Sequence, residues 1–507
     1  MIMSLFSSKS AHPLADGKAL KGVLETLSGL PAAEGLDEAR VWLESLETVE
    51  DMKPEQCLDI LLQIDEAALP HARRHGRDFL LLAAGNRSEE YRLWHRNHAY
   101  WRQLSAAYEA GLQRARAEGK WPRALESRLP LVHVRWLMAC AAAIKWATFR
   151  HVPAEGGDWQ WAGAAYLAAQ AGGFQNTPVQ PGPHAAATTV VQEYLHLLAL
   201  HASSVNKLMP VKVEIAERLV AYLTPYLVFT DQVDVANVYW VDAGKPLPPT
   251  RLAKVPEPSS TLRFLRPGEA LSRIAWIKAD IEKSGAVPAD LQLGGQYPPD
   301  MVLSVLDHLA LNWQATPPAR SHLRRAIKSR LRVVHGLTTI HEVLVAGQGS
   351  FMQIKEEDWF VEDVSKGGMG AQTPFSTNEW IRLGALIAMQ PEGGDNWLVG
   401  VVRRYQRGDT RGSAGIQTLG KAPRAVRADA RGLEMSLLLL DLPVLPEHRP
   451  DHAAGMVVEG VLAGANYEAG IALQVMLDGR MFSFIPQALQ ERGPDFMVVR
   501  FLLKTLS

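Results

Sequence analysis

The sequence predicts a multidomain α + β protein, with a large all-helical N-terminal region and a β-rich C-terminal part. Three observations lead to this prediction. Apolar residues recur at helical spacing up to about residue 225, β-branched and aromatic residues appear from about 226, and many short strand-like runs follow from about 316. Short strands at this density are typical of a β-barrel or a β-sandwich.

The composition is that of a soluble globular chain, whose length corresponds to two to four domains at roughly 150 residues each. The 507 residues are 47% hydrophobic and 21% charged, and the net charge of -1 excludes a nucleic-acid-binding polycation. Cys57 and Cys140 lie in apolar helical stretches, which predicts two reduced core thiols. The chain has no secretory signal and no apolar run of the roughly 18 residues that span a bilayer, so we expect a cytoplasmic protein without a membrane span.

The helical domain is assigned to residues 1–225. Its helices are indicated by apolar positions that fall on one face, as in the run from Leu20 to Leu27, and Gly-Pro clusters separate them. A mixed linker and helical segment follows at 226–315. It combines short strands, two proline-rich extended stretches and two helices, near 267–284 and 298–313.

The β region divides into a barrel at 316–430 and additional strands at 431–507. The last four strand-like runs, from Met435 onwards, either extend the same barrel or form a second small β domain. Both alternatives are compatible with the pattern of short strands.

A glycine-rich turn at the end of a strand is the most informative segment of the chain. It spans residues 361–370, Val-Glu-Asp-Val-Ser-Lys-Gly-Gly-Met-Gly. Asp363 and Ser365 are two residues apart and therefore point to one face of the strand. The glycines that follow permit positive φ and close approach of a ligand to the backbone. A carboxylate beside a hydroxyl can read the edge of a purine base, and the carboxylate suits the adjacent N1–H and N2–H₂ donors of guanine.

A cluster of cationic residues lies upstream, at 320–332, with five arginines and one lysine. Arginine offers a planar fork for bidentate contact with phosphate and a flat face for stacking on a base. The cluster is thus a candidate phosphate site, and the alternative is a solvated basic face.

These two segments together resemble the PilZ family. That family carries an Arg-x-x-x-Arg motif ahead of its first strand and an Asp/Asn-x-Ser-x-x-Gly motif on the next strand; both motifs occur here, at 320–324 and 363–368. The resemblance covers roughly residues 316–430 and implies a six-stranded antiparallel β-barrel that binds cyclic di-GMP. It also implies a binding set with no catalytic and no metal-ligating residue: Arg320, Arg324, Arg325, Asp363, Ser365, Gly367 and Gly368.

The spacing between the two motifs is longer than is usual in the family. We therefore expect an insertion, within residues 341–355, between the first two strands of the barrel. The insertion leaves the arginine register open, since Arg325, Arg330 or Arg332 are alternatives to the first motif's pair. Of these, Arg332 fits least well, because it already lies inside a predicted strand.

Other polar groups carry weaker hypotheses. The pairs His95/His98 and Glu193/His196 have helical spacing that could present a shared metal face, but the sequence shows no further ligands for them and we reject a metal site. The arginines at 403, 404, 407 and 411 either add a second basic rim to the ligand site or are solvated, and we favour solvation.

The functional prediction is a cyclic di-GMP receptor that couples ligand binding at the barrel to its helical region, with no enzymatic activity and no cofactor. The predicted mechanism is ordering of a mobile arginine segment by the ligand's phosphates. Expected partners are cyclic di-GMP and a protein bound through the helical region, with no nucleic acid, and an oligomer is compatible. The alternative is a ligand-free PilZ-like scaffold that acts as a protein interaction module.

Overall fold

The computed structural model describes residues 10–82, 86–117, 121, 123, 125–183, 185–316, 322–346, 356–374, 380–408, 410–442, 455–464 and 470–505. The chain divides into two compact units, Met1–Pro318 and Ala319–Ser507. The first unit is mainly helical, and the described residues of the second form two closed six-stranded antiparallel barrels and one helix. The predicted multidomain α + β class, with its helical N-terminal region and six-stranded barrel, is confirmed.

Eight α-helices account for most of the described residues of the first unit up to the small sheet. They begin at ordinary capping signals: the Asp16 side chain accepts hydrogen bonds from the backbone N–H groups of Lys18 and Ala19, and prolines occupy the first turn of three of the helices. In chain order the helices are α1 (Gly17–Gly29), α2 (Ala32–Thr48), α3 (Pro54–Leu81), α4 (Arg87–Arg116), α5 (Leu129–Phe149), α6 (Gly156–Ala171), α7 (Val190–Ala202) and α8 (Pro210–Leu223).

A small antiparallel sheet and two further helices complete the first unit. The sheet contains β1 (Val228–Thr230), β2 (Tyr239–Asp242), β3 (Thr250–Arg251) and β4 (Leu262–Arg266) in the order β1-β4-β2-β3, and α9 (Ala270–Ser284) and α10 (Pro299–Trp313) follow. Leu265, Ile277 and Leu306 are buried in the same apolar core as residues of α3 and α5. The mixed segment therefore packs as part of the helical unit.

The first barrel contains the glycine-rich hairpin. Its strands are β5 (Arg325–His335), β6 (Glu357–Ser365), β7 (Gly368–Thr373), β8 (Leu386–Pro391), β9 (Leu398–Gln406) and β10 (Gly412–Gly420), closed in the order β10-β7-β6-β5-β8-β9. Alternate residues such as Leu331, Trp359 and Ile387 fill its interior. The helix α11 (Leu337–Ala346) lies between β5 and β6, where the longer spacing predicts an insertion; residues 347–355 of that interval lie outside the described residues.

The remaining strands form a second barrel, which decides between the two alternatives left open by the sequence. They are β11 (Arg424–Ala430), β12 (Leu433–Leu439), β13 (Val457–Ala463), β14 (Leu473–Leu477), β15 (Arg480–Arg492) and β16 (Phe496–Thr505). Counted from its own first strand, each barrel is closed in the order first, second, third, sixth, fifth, fourth. The two barrels thus share one topology.

The two barrels pack against each other within the second unit. Outward apolar residues of both barrels, among them Val401 and Val461, form one buried cluster with Ile340 of α11. Arg403 on β9 donates to the Glu491 carboxylate on β15 at the edge of this cluster. These contacts account for the outward apolar positions of β8 and β9, which would otherwise be exposed.

Both cysteines are buried and unpaired, as predicted. Among the described helices, none combines the length and the apolarity that a bilayer crossing requires.

Candidate functional site

The β6–β7 hairpin is a tight connection closed by the pair Ser365 and Gly368, with Lys366 and Gly367 at its tip. The Ser365 hydroxyl donates to the Gly368 carbonyl oxygen at 3.1 Å. The Thr418 backbone N–H on β10 donates to the Gly367 carbonyl oxygen, also at 3.1 Å. The tip is therefore held both by its own side chain and by the neighbouring strand.

The hairpin glycines serve close approach and not a left-handed backbone. Gly367, Gly368 and Gly370 are not among the described glycines with a positive φ, so the expectation of positive φ at these positions is wrong. A β-carbon added to Gly368 would lie 2.0 Å from the Ile416 carbonyl oxygen on β10. Only glycine fits there, because β7 and β10 approach closely at this point.

Asp363 and Ser365 share the outer face of the barrel. The residue between them, Val364, packs against the barrel core, so its neighbours on either side point outwards. A β-bulge between Val361 and Asp363 brings about this alternation, since it shifts the register of β6 against β7. A bulge that re-aims a side chain at a barrel rim is a common feature of binding sites.

Arg324 reaches Asp363 from a position 39 residues earlier in the chain. Its Nη1 lies 2.9 Å from each of the two carboxylate oxygens, just before β5 begins. The two side chains are 35% and 30% exposed, so the pair is accessible to a ligand from solvent. The cationic segment and the glycine-rich hairpin thus converge on the outer face of the first barrel.

The other arginines of the segment occupy different places. Arg325 is the first residue of β5, exposed and paired in register with Val364. Arg330 lies over the Phe360 ring, and Arg332 contacts Glu356 and Gln390. Arg320 lies outside the described residues. Of the described arginines before and in β5, Arg324 is the one that the structure brings to Asp363.

The arrangement can recognise a ligand that carries both hydrogen-bond donors and negative charge. A carboxylate accepts two adjacent N–H donors in plane, and a guanidinium donates to phosphate oxygens in a charge-assisted geometry. In the structure these two groups satisfy each other. A ligand that binds both groups must therefore break the contact between them. Its N–H donors then replace the guanidinium at the carboxylate, and its anionic group replaces the carboxylate at the guanidinium.

The downstream arginines Arg403, Arg404 and Arg411 differ in the residues that they contact. Arg403 is engaged by Glu491 and Gln417, and Arg411 donates to Gln372 at 3.0 Å. Arg404 instead lies across Gly415, a glycine of the neighbouring strand. Gly415 belongs to no sequence motif, and the signal that marks it is an outward glycine on a strand next to the hairpin.

The described residues contain no group of three or more side chains placed to hold a metal ion. Glu193 lies 4.0 Å from His196, and the second ring nitrogen of that histidine contacts the Glu217 carbonyl oxygen. These partners account for the Glu193/His196 pair as part of the packing between α7 and α8.

Comparison with known proteins concerns the helical unit. Residues 18–233, less than half of the chain, match the family model described as "Cyclic-di-GMP receptor FimW, N-terminal domain". No curated protein matches the chain. The matched range runs from α1 into the small sheet and ends before either barrel, so the chain is similar to that receptor domain over its helical part.

Proposed function

We propose that the chain is a cyclic di-GMP receptor, and that the first barrel binds the ligand at Arg324 and Asp363. The contact between these two side chains is the observation that carries the proposal. It joins the two sequence motifs at one point on an accessible barrel face, next to a glycine hairpin that allows close approach of a ligand. The proposed site is PilZ-like in its motifs and in its position on the barrel.

The chemistry of cyclic di-GMP matches the site. Each guanine offers N1–H and N2–H₂ donors on one edge, which the Asp363 carboxylate can accept. The two phosphodiesters are anionic, and Arg324 and Arg325 are cations at the same end of the barrel. Ser365 and Gly368 shape the hairpin, with Gly367 at its tip, and Arg320 is proposed to add a further phosphate contact.

The helical unit supports the same ligand class independently. The family model that it matches describes the N-terminal domain of a cyclic-di-GMP receptor, and the match does not include the barrel motifs. Two separate parts of the chain therefore point to one second messenger. We infer that the helical unit transmits the signal to a protein partner, and that the protein binds its ligand without catalysing a reaction, in the cytoplasm.

The proposed mechanism is exchange of partners. Asp363 holds Arg324 against the barrel, so the sequence-based mechanism, in which the ligand captures a free arginine arm, does not fit Arg324. The guanine edge would replace Arg324 at Asp363, and Arg324 would turn to a phosphate. This exchange keeps both charged groups paired throughout, so its electrostatic cost is small.

A ligand-free scaffold is the second candidate, and one observation favours it. Arg324 and Asp363 already satisfy each other, as they would in a barrel that had kept the motif only for packing. The second barrel has the same topology, and its sequence contains no Asp/Asn-x-Ser-x-x-Gly motif, so this topology does not require that motif.

Calorimetric titration of the full chain with cyclic di-GMP separates the two candidates. The receptor proposal expects saturable binding in the micromolar range or tighter, and a loss of about 10-fold or more for Arg324→Ala and for Asp363→Ala, since each removes a charge-assisted contact. Arg424→Ala is the matched control, because Arg424 forms an exposed pair with Asp478 in the second barrel. Absence of binding to the unmodified chain would support the scaffold, and binding that survives both substitutions would show that the site is elsewhere.

A further inference from the structure

A row of four residues crosses the outer face of the first barrel. Asp363 on β6 pairs with Gly370 on β7, Gly370 pairs with Gly415 on β10, and Gly415 pairs with Arg404 on β9. The two charged residues therefore stand at the ends of one cross-strand row, and two directly opposed glycines lie between them.

Both glycines face outwards. Their chain neighbours Met369, Ala371, Ala414 and Ile416 all belong to the barrel core, so the positions between them lie on the outer face. Glycine weakens a strand interior and commonly marks a place where another group approaches the backbone closely. Two paired glycines on the outer face leave a recess with no side chains of its own, and both glycines are buried because neighbouring side chains cover them.

The charged side chains at the two ends lean over this recess. A β-carbon added to Gly370 would lie 3.1 Å from Oδ1 of Asp363. A β-carbon added to Gly415 would lie 3.2 Å from Cβ and 3.5 Å from Nε of Arg404. The carboxylate and the guanidinium group thus approach the glycine pair from opposite sides.

Arg404 differs from the arginines around it. Arg403 and Arg411 are held by Glu491 and Gln372, whereas Arg404 is exposed and makes no hydrogen bond or ion pair with any residue that the structure describes. An exposed arginine that lies over a glycine beside a carboxylate site can offer its donors and its planar face to a ligand.

We propose that Gly370 and Gly415 form the floor of the ligand site and that Arg404 is its second cationic wall, opposite Arg324. This inference rests on the proposed function and deepens it. Asp363 and Arg324 hold one nucleotide of cyclic di-GMP, the ligand crosses the glycine floor, and Arg404 contacts the other nucleotide through its phosphate or the face of its base. Arg404 thereby favours a guanine dinucleotide over a mononucleotide.

Two variants test this proposal by calorimetry with cyclic di-GMP and with GMP. Arg404→Ala should weaken cyclic di-GMP binding about 10- to 100-fold, as expected for loss of a charged contact, and should change GMP binding less than 3-fold. Gly415→Val should weaken cyclic di-GMP binding by a similar factor, because its side chain fills the recess. A β-carbon at this position would lie 3.2 Å from Cβ of Arg404, so the melting temperature of this variant is measured to show that it folds.

Arg427→Ala serves as the control, since Arg427 is an exposed arginine of the second barrel. Binding by the Arg404→Ala and Gly415→Val variants that equals that of the unmodified chain, together with a loss for Asp363→Ala, would overturn this inference and leave the proposed function intact. An equal loss of GMP and cyclic di-GMP binding in Arg404→Ala would also overturn it. If the unmodified chain binds no cyclic di-GMP, both proposals fail. Should Gly415→Val fail to fold, Arg404→Ala alone decides.

Discussion

The pair formed by Arg324 and Asp363 should matter far more to ligand affinity than to stability. Both side chains are about one third exposed, at 35% and 30%. Exposed ion pairs contribute only about 0.2–1 kcal/mol to folding, because water screens them and ordering two long side chains costs entropy. We therefore expect each alanine substitution to lower the local stability of the hairpin by less than about 1 kcal/mol.

The same substitutions should reduce the free energy of ligand binding by much more than they reduce the free energy of unfolding. A contact between a charged protein group and a ligand is worth roughly 1.5–3 kcal/mol, which is about 10- to 100-fold in the dissociation constant. The difference between the two effects identifies the pair as a ligand site, since a structural pair would affect stability and affinity together.

Hydrogen exchange on the full chain measures the stability side, because it reports the opening free energy of β6 and β7 separately from the helical unit. A double-mutant cycle of Arg324→Ala and Asp363→Ala gives their coupling free energy. A coupling above about 2 kcal/mol, beyond the range of exposed pairs, would refute this reasoning, and so would single variants with unchanged affinity for cyclic di-GMP.

Four further predictions address the fold and its coupling to the ligand. Gly368→Ala should destabilise the first barrel by about 1–3 kcal/mol or more, because its β-carbon would collide with the Ile416 carbonyl oxygen; a melting temperature equal to that of the unmodified chain contradicts this. Asp65→Ala should lower the free energy of unfolding, measured by chemical denaturation, by about 3–5 kcal/mol, because buried Arg135 loses the carboxylate 2.7 Å from its Nε. A decrease of under about 1 kcal/mol would show that the buried pair is dispensable. Acid should weaken the helical unit, because burial lowers the pKa of three of its histidines to about 4: His98, His133 and His201. In the unfolded chain these histidines bind protons below about pH 6.5, so their contribution to the free energy of unfolding is complete above that pH and is lost towards pH 4. Asp158 has the opposite effect, because burial raises its pKa to about 6 and the folded state then binds one proton more than the unfolded state in the same range. Equal free energies of unfolding at pH 7 and pH 5 would argue against this scheme. Saturating cyclic di-GMP should slow amide exchange in at least one helix between residues 10 and 316, and exchange altered only in the barrel would disprove coupling.

Local sequence patterns were sufficient for the fold class and for the two motifs. The helices follow from apolar spacing, and Asp363 and Ser365 follow from alternation along one strand. The pairing of Arg324 with Asp363 is not local, because it depends on how β5 and β6 align across an interval that contains α11. From the sequence, several arginines are therefore possible partners of Asp363. The strand register of the structure selects one of the described arginines.

Gly415 and Arg404 illustrate the same limit. The sequence offers Arg404 as one of four arginines that could form a second basic rim and gives no sign of Gly415; the two become part of one row only when β9, β10 and β7 are paired. A closed barrel places residues side by side that lie dozens of positions apart, and a bulge between Gly415 and Ile416 shifts the register further. Sequence spacing alone does not contain that information.

The sequence predicts short strands after residue 226, but not that four of them form one sheet. Proline-rich stretches between short apolar runs are typical of linkers, yet β2 and β4 pack into the core of the helical unit through side chains such as Tyr239 and Leu265. Very short strands carry too little periodicity to show which face they bury.

A crystal structure of the full chain with cyclic di-GMP bound tests the central claim most directly. We predict a guanine edge within hydrogen-bonding distance of the Asp363 carboxylate, with the Arg324 guanidinium moved onto a phosphate of the same ligand. A ligand bound elsewhere on the protein, with both Arg324–Asp363 contacts still at 2.9 Å, would contradict the account.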